Sequence, residues 1–545
     1  MPDVRTRHRN GRTATIISTV SVLLASCLYL LRLDRTAGLL VDDAWYVLLG
    51  RALARGEGYR LVSSAATPIL PVVPPGFPAI LSLVFRLSPE FPQNVFWLKS
   101  VSIAAMLGVG LLTYRYVVDY RSVPWQVGVG ISLGTTLTPG FVFLATSTVM
   151  AESVFTFGLL LTIITAEASV RTTDKAAGGR KILLAGVFAA ATMLVRSTGV
   201  ALVAAVALSL LKKRGWKGAA TFGAVAAACL LPWMFYARAH EPRDVQRREH
   251  GGSIAYAYTN SLRMKQAADP QSGQVTLRDL PPRIGRNLIN VFGRDVGGVF
   301  VPTFLRGPGE SGEEVIALGG LLGLTGGSMG NANATLCISF AFSSIMLIGF
   351  VSAARTRHTA AELLVPISLA MIVVVPFFTF RYVLPLAPFL FFYLAEGLRT
   401  AARWGERLVK GTRRDPWRAA RVILLCVIGL DVADHVQYIL DASRPNRAAA
   451  VDWLADGEEI DTVLDWMNRT LPPEGAVATT NPGLVFLVTG RKTLAIDDYA
   501  NNWRRWKADG VRYAVALRSA SLPDPAFGYT VLYQTSRRKL WVIEL

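Results

Sequence analysis

The chain has little with which to build a disulfide framework or a zinc site. Its four cysteines, Cys27, Cys229, Cys337 and Cys426, are scattered over 545 residues and never form a CxxC pair. All lie inside or at the edge of apolar runs, where cysteine is a small core residue rather than a ligand. Charge is scarce as well: 17% of residues are Asp, Glu, Lys or Arg, against 52% hydrophobic. That balance excludes an ordinary soluble domain and predicts a multi-span membrane protein. Acids are the scarcer sign, 38 against 57 basic residues, for a net charge of +19. Zinc-finger spacings and basic stripes interleaved with aromatics are missing, so the basic excess points to membrane topology and not to nucleic acid.

Apolar runs are what the sequence has in quantity. Eleven candidate spans lie at about 15–33, 96–118, 124–143, 152–170, 181–195, 197–211, 217–238, 334–353, 360–379, 383–398 and 419–438. Several fall short of the roughly 20 residues that cross about 30 Å of hydrocarbon. The pair 181–211 is split by Arg196 and must tilt or place its turn within protein. The first run follows Arg5, Arg7, Arg9 and Arg12 and has no A-x-A site after it. It is a retained first span in preference to a signal peptide.

Loop charges set the orientation. With residues 1–14 in the cytoplasm, each predicted inner loop is basic: Arg115 and Arg121; Arg171, Lys175, Arg180 and Lys181; Lys212, Lys213, Arg214 and Lys217; Arg355 and Arg357; and the run from Arg399 to Arg421. A shift of one span would put these clusters on the wrong side. The transmembrane domain is then 15–438, and three segments face outward: 34–95, about 239–333, and the tail 440–545. In the tail, VDWLADGEEIDTVLDWMNRTL has helical spacing, while VRYAVAL and YTVLYQTSRRKLWVIEL have strand character with a hairpin turn. A small α/β domain is expected there. The glycine-rich GGLLGLTGGSMG lacks the GK[ST] ending and the preceding strand of a phosphate loop.

The stretch LLVDDAWYVLLGRALARGEGY places Asp42 and Asp43 just beyond the outer end of the first span. Neighbours on a helix point about 100° apart, so the two acids have separate tasks. One of them is an N-cap on the plainest reading. The following VLLGRALARG has the amphipathic spacing of a helix lying along the membrane surface. PVVPPGFPAILSLVFRL is a proline-stiffened lead into a short apolar helix. On this topology Glu152, in TSTVMAES, Arg196, and Arg381 with Tyr382, in FFTFRYVLPLAPF, share the membrane face of the acid pair. Ionisable groups at the hydrocarbon edge are costly and are paired or functional. The plainer alternatives are a snorkelling Arg196 and an interfacial anchor at Arg381 and Tyr382.

The order DDAWY, PPGFP, MAES at the head of a span and RYVLPLAPF near the last spans resembles the GT-C glycosyltransferases. Within that superfamily it looks like the bacterial proteins related to dolichyl-phosphate-mannose protein mannosyltransferases and the lipid A aminoarabinose transferases. The resemblance covers roughly 15–400. It implies an all-α polytopic fold with an outward C-terminal domain, Asp42 as catalytic base with Asp43 its neighbour, Glu152 near the donor phosphate or a metal, and Arg381 with Tyr382 at the late RY position. Three positions depart from the pattern: Val73 where many relatives carry Lys, Asp43 for Glu, and Trp45 where the aminoarabinose branch tends to have Arg.

The expected reaction is transfer of a hexose or pentose from a polyprenyl phosphate to a hydroxyl of a lipid, polysaccharide or protein, at the outer face of the plasma membrane and with inversion. Asp42 takes the proton, and Arg196 and Arg381 stabilise the departing phosphate. Asp43 and Glu152 either orient those arginines or hold a divalent cation, the one cofactor the residues suggest. The competing class is a non-enzymatic flippase or transporter of lipid phosphates using the same charges.

Overall fold

The computed structural model describes residues 4–64, 73–240, 263–266, 269–300, 329–376, 379–408, 415–445, 451–496, 506–507, 510–518 and 522–545. Apolar helices build a polytopic membrane domain, capped at one end by a small α/β domain. The first half runs through α1 (Val4–Arg32), α2 (Val41–Ala54), α3 (Gly76–Leu87), α4 (Val95–Arg115), α5 (Trp125–Leu137), α6 (Pro139–Thr146), α7 (Glu152–Arg171), α8 (Lys175–Val195) and α9 (Val200–Ala239). The second holds a short hairpin of β1 (Met264–Gln266) and β2 (Asp269–Gln274), then α10 (Leu280–Asn290), α11 (Val296–Phe300), α12 (Met329–Thr356), α13 (Ala360–Ile372), α14 (Phe380–Val383), α15 (Ala387–Leu408) and α16 (Arg418–Ala442). Helix α5 bends by 47° into α6. Pro139 keeps Thr138 out of the helical conformation, at φ −48° and ψ 120°, and its ring nitrogen cannot continue the helical ladder.

Among the described residues, eight helices are long and apolar enough to cross a bilayer, or nine if the bent pair is one span. Two of the eleven expected spans lie within α9, and a third keeps 13 helical residues in α13. Helix α9 is itself broken: Gly215, at φ 73°, separates two arms. The neighbouring Arg214 donates to the carbonyls of Ser169 and Thr172 at the end of α7, which anchors the break.

Two segments differ from expectation. Part of the supposed loop 239–333 is core: Val291, Val296, Val299 and Phe300 are buried, and Phe300 meets Phe391 edge-on at 4.9 Å. The only charges there, Arg294 and Asp295, pair with each other at 3.0 Å, which lets the segment enter the protein. RDVQRREHGG, and GGLLGLTGGSMG up to Ser328, lie outside the described residues. Nor does the amphipathic stretch of α2 lie on the membrane. Trp45, Val47, Leu48, Leu49 and Ala52 are buried, because α3 covers one side of the helix and the tail domain the other.

The tail folds as α17 (Asp452–Thr470), β3 (Val477–Thr479), α18 (Pro482–Thr489), β4 (Thr493–Ala495), β5 (Tyr513–Ala516), β6 (Thr530–Gln534) and β7 (Trp541–Glu544). The sheet order is β4-β3-β5-β7-β6. β3 lies parallel to β4 and β5, whereas β7 is antiparallel to β5 and β6. The helix and both strand stretches fall where the sequence periodicity places them.

Helices α12 and α15 cross through glycine. A Cβ on Gly349 would sit 1.8 Å from the Tyr393 carbonyl oxygen, and one on Gly397 would sit 1.9 Å from that of Ile345. Backbone against backbone leaves no side chain to give way. Gly349→Ala is expected to cost about 1–3 kcal/mol or more through overpacking, read as a lower melting temperature of the detergent-solubilised protein. Gly179→Ala, where a Cβ meets nothing within 4 Å, is the control.

Candidate active site

The first turn of α2 separates its two acids. Leu40 occupies the N-cap position and makes no side-chain cap bond, so neither carboxylate serves as the cap. Asp43 turns inward and is fully buried; its Oδ2 accepts from the Gly38 N–H at 2.7 Å and its Oδ1 from the Ala44 N–H at 2.9 Å. Asp42 turns outward, and its side chain is 57% exposed. Burial raises the Asp43 carboxyl above the usual carboxylate range, and the adjacent Asp42 adds to that. The Gly38 and Ala44 N–H groups and the Lys99 cation oppose the shift.

Glu152 opens α7, where the positive end of the helix dipole favours a carboxylate. Its side chain is 0% exposed, and Oε1 meets Arg196 Nη1 at 2.5 Å and Arg381 Nη2 at 2.9 Å. Arg381 Nε donates to the same oxygen at 2.9 Å. Arg196 comes from the extended break between α8 and a 3-10 turn at Ser197–Gly199, and Arg381 from the short α14. Arg381 then reaches outward, with Nη1 3.1 Å from Asp42 Oδ2. One unbroken line of charges results: Asp42, Arg381, Glu152, Arg196.

Asp42, Glu152, Arg196 and Arg381 therefore meet, and Tyr382 joins them with its ring 5.6 Å from the Arg196 guanidinium. Arg196 is not a snorkelling residue: only 11% of its side chain is exposed, and it points at Glu152. Asp43 stands apart, since its carboxylate braces the chain entering α2. As placed, Asp43 and Glu152 do not fit a shared cation. Backbone N–H groups hold the oxygens of Asp43, two guanidiniums face Glu152, and among the described residues no three His, Cys, Asp or Glu side chains converge.

Sequence reasoning missed three supporting groups. Lys99 is fully buried and donates to Asp34 Oδ1 at 2.8 Å, to the Asp34 carbonyl at 2.9 Å and to the Thr146 carbonyl at 2.8 Å. A lysine near the start of an apolar span was the available signal. Asp295 accepts from the Thr379 hydroxyl and so fixes the residue that leads into α14 and Arg381. Tyr46, one turn on from Asp42, is buried edge-on to Phe77 at 5.1 Å and lies within electrostatic reach of Arg196, Glu152, Asp42 and Arg381. No local pattern marks Asp295 or Tyr46.

An apolar cavity of about 500 Å³ adjoins the charges, lined by Phe155, Leu202, Met371, Leu386 and Tyr382 among others. Tyr382 thus belongs to both, with its ring on Arg196 and its side against the cavity.

Removing the buried acid and the exposed one should have unequal costs. Glu152→Gln leaves two guanidiniums facing a neutral amide and is expected to lose about 3–5 kcal/mol. Asp42→Asn breaks a half-exposed pair and should stay within about 1 kcal/mol of wild type. Denaturant unfolding of the purified variants tests both. The Asp43 carboxyl is raised in the folded state, so folding favours its protonated form. Its contribution to stability is complete at acid pH and is lost as pH rises from the ordinary carboxylate range through its raised value. Asp43→Asn should flatten that part of the melting-temperature profile.

No protein-family model matches the chain, and no curated protein matches it by sequence. Solved structures do match. ArnT from Cupriavidus metallidurans in the apo state aligns with a TM-score of 0.57 at 12% identity, over 98% of each chain. The same protein bound to undecaprenyl phosphate aligns with a TM-score of 0.56 at 10% identity, over 96% of this chain and 97% of the other. At such identity a whole-length likeness is one of fold, and that fold is the GT-C-like arrangement implied by the motif order.

Proposed function

We propose that the chain is a membrane glycosyltransferase that moves a sugar from a polyprenyl phosphate to an acceptor hydroxyl at the outer membrane face. One observation carries this reading: a line of two acids and two arginines borders an apolar cavity at one end of a membrane bundle. A donor with a long hydrocarbon tail and a phosphate head matches both halves, the tail along the cavity and the phosphate against the guanidiniums. ArnT, which shares the fold, was solved with undecaprenyl phosphate bound, and this supports a carrier of that class.

The exposed Asp42–Arg381 contact is the weak link of the line, worth about 0–1 kcal/mol, and a phosphate can displace it. Glu152 is buried and stays with both arginines. Displacement frees Asp42 close to the anomeric carbon. The acceptor hydroxyl then gives its proton to Asp42 as its oxygen bonds to that carbon. The bond from carbon to phosphate oxygen breaks, and the phosphate leaves with the electron pair, its charge met by Arg381 and Arg196. Attack opposite the leaving group inverts the centre. No step requires a cation between Asp43 and Glu152.

The test uses polyprenyl-phosphate sugars extracted with label from the source membranes, and envelope extract as acceptor. Wild type should consume donor and label acceptor, while Asp42→Asn should lose at least about 100-fold in rate and remain folded. Near-normal transfer by Asp42→Asn removes it from the base role. Movement of donor across liposomes without consumption would assign the chain to the transporters.

A further inference from the structure

We propose that Asn481 of the tail domain is a positioning residue for Asp42, acting through the turn from Gly38 to Ala44. The inference rests on the transferase reading above and adds a part that the membrane domain cannot supply alone.

Asn481 is 2% exposed and sits between β3 and α18. Its Oδ1 caps α18 by accepting from the Leu484 N–H at 3.2 Å, and its Nδ2 donates to the Gly38 carbonyl at 2.7 Å. The first partner can only donate and the second can only accept, so the amide has a single orientation. Gly38 passes the constraint on, since its own N–H is the 2.7 Å donor to Asp43 Oδ2. Asp43 in turn donates its N–H to the Leu40 carbonyl at 2.7 Å. Asp42 lies inside this closed turn and, among the described residues, makes one ion pair, so its position follows that of its backbone.

The fit is tight. Gly38 has φ +84°, and a Cβ there would stand 2.8 Å from Leu484 Cδ1. A Cβ on Gly483 would stand 3.0 Å from that of Ala44, and Ala44 is buried within the tail's own apolar cluster, with Val463, Val477 and Leu484. Farther out, the Thr493 N–H donates to the Ser63 carbonyl at 2.8 Å, and Lys492 Nζ to that of Val62 at 2.7 Å. Placement errors of about 1 Å can cost 100-fold in rate, so a base on a short turn benefits from a brace on its solvent side.

Asn481→Asp keeps the size and the capping oxygen but sets a second oxygen against the Gly38 carbonyl. Asn481→Ser caps a helix comparably and lacks the amide. Lys492→Ala breaks a tail contact that bypasses Gly38. In the transfer assay above, both Asn481 variants should lose at least about tenfold in kcat, with KM for the extracted donor within about twofold, because the phosphate contacts come from Arg196 and Arg381. Lys492→Ala should match wild type. Wild-type kcat in either folded Asn481 variant, a rise in KM at constant kcat, or an equal loss in Lys492→Ala overturns the proposal. Asp42→Asn in the same experiment separates the two readings. If it keeps its rate, the base role falls and this inference with it; if it is inactive while Asn481→Asp is normal, only this inference falls.

Discussion

A single buried carboxylate organises the charged end of this protein. Glu152 has no exposed side-chain surface and takes guanidiniums from two directions, Arg196 from the break after α8 and Arg381 from α14. Alone, either arginine would carry a charge into a low-dielectric site at a cost of several kcal/mol. With the carboxylate between them, and the first turn of α7 behind it, both can be held at the rim of an apolar cavity. Arginine suits this better than lysine, because its planar fork can hold Glu152 with one edge and present the other. Arg381 does so, spanning a fully buried acid and a half-exposed one.

The loop that carries Asp42 is tied at two levels. On the membrane side, Lys99 spends three hydrogen bonds on Asp34 and Thr146, and the Tyr438 hydroxyl reaches Asp34 Oδ2 at 3.2 Å. The Arg32 guanidinium lies 4.0 Å from the Tyr438 ring centre and reaches the Thr146 hydroxyl at 3.1 Å, so α1, α4, α6 and α16 are joined beneath the loop. On the far side stands the tail domain, through Asn481 and the cluster that takes in Ala44. Asp43 links the two levels from within, which explains why a fully buried acid follows an exposed one.

Much of this could be read from the sequence because membranes simplify the code. Ionisable residues at the ends of apolar runs stand out, and Asp42, Glu152, Arg196 and Arg381 were all visible on that basis. Their convergence is another matter: Asp42 and Arg381 are 339 residues apart, a pairing that no local period encodes. The same limit hid residues 291–300, whose two charges cancel each other and permit burial, and hid the partner of α2, which lies in the tail. Asp43 looked equivalent to Asp42 because the difference between them is rotation about one helix, fixed only once Gly38 and Ala44 are in place.

Helix α13 spans about 20 Å, well short of a bilayer's hydrocarbon width. Its trailing carbonyls would be stranded in lipid, but α10 reaches over them: Asn287 Nδ2 donates to Val373 and Val375 at 3.0 and 2.9 Å. Leu364, Ile367 and Met371 of this truncated helix also form one wall of the cavity. Among the described residues, that wall is thus built on a helix of 13 residues, whose end is closed by an amide from α10 and not by further helical turns.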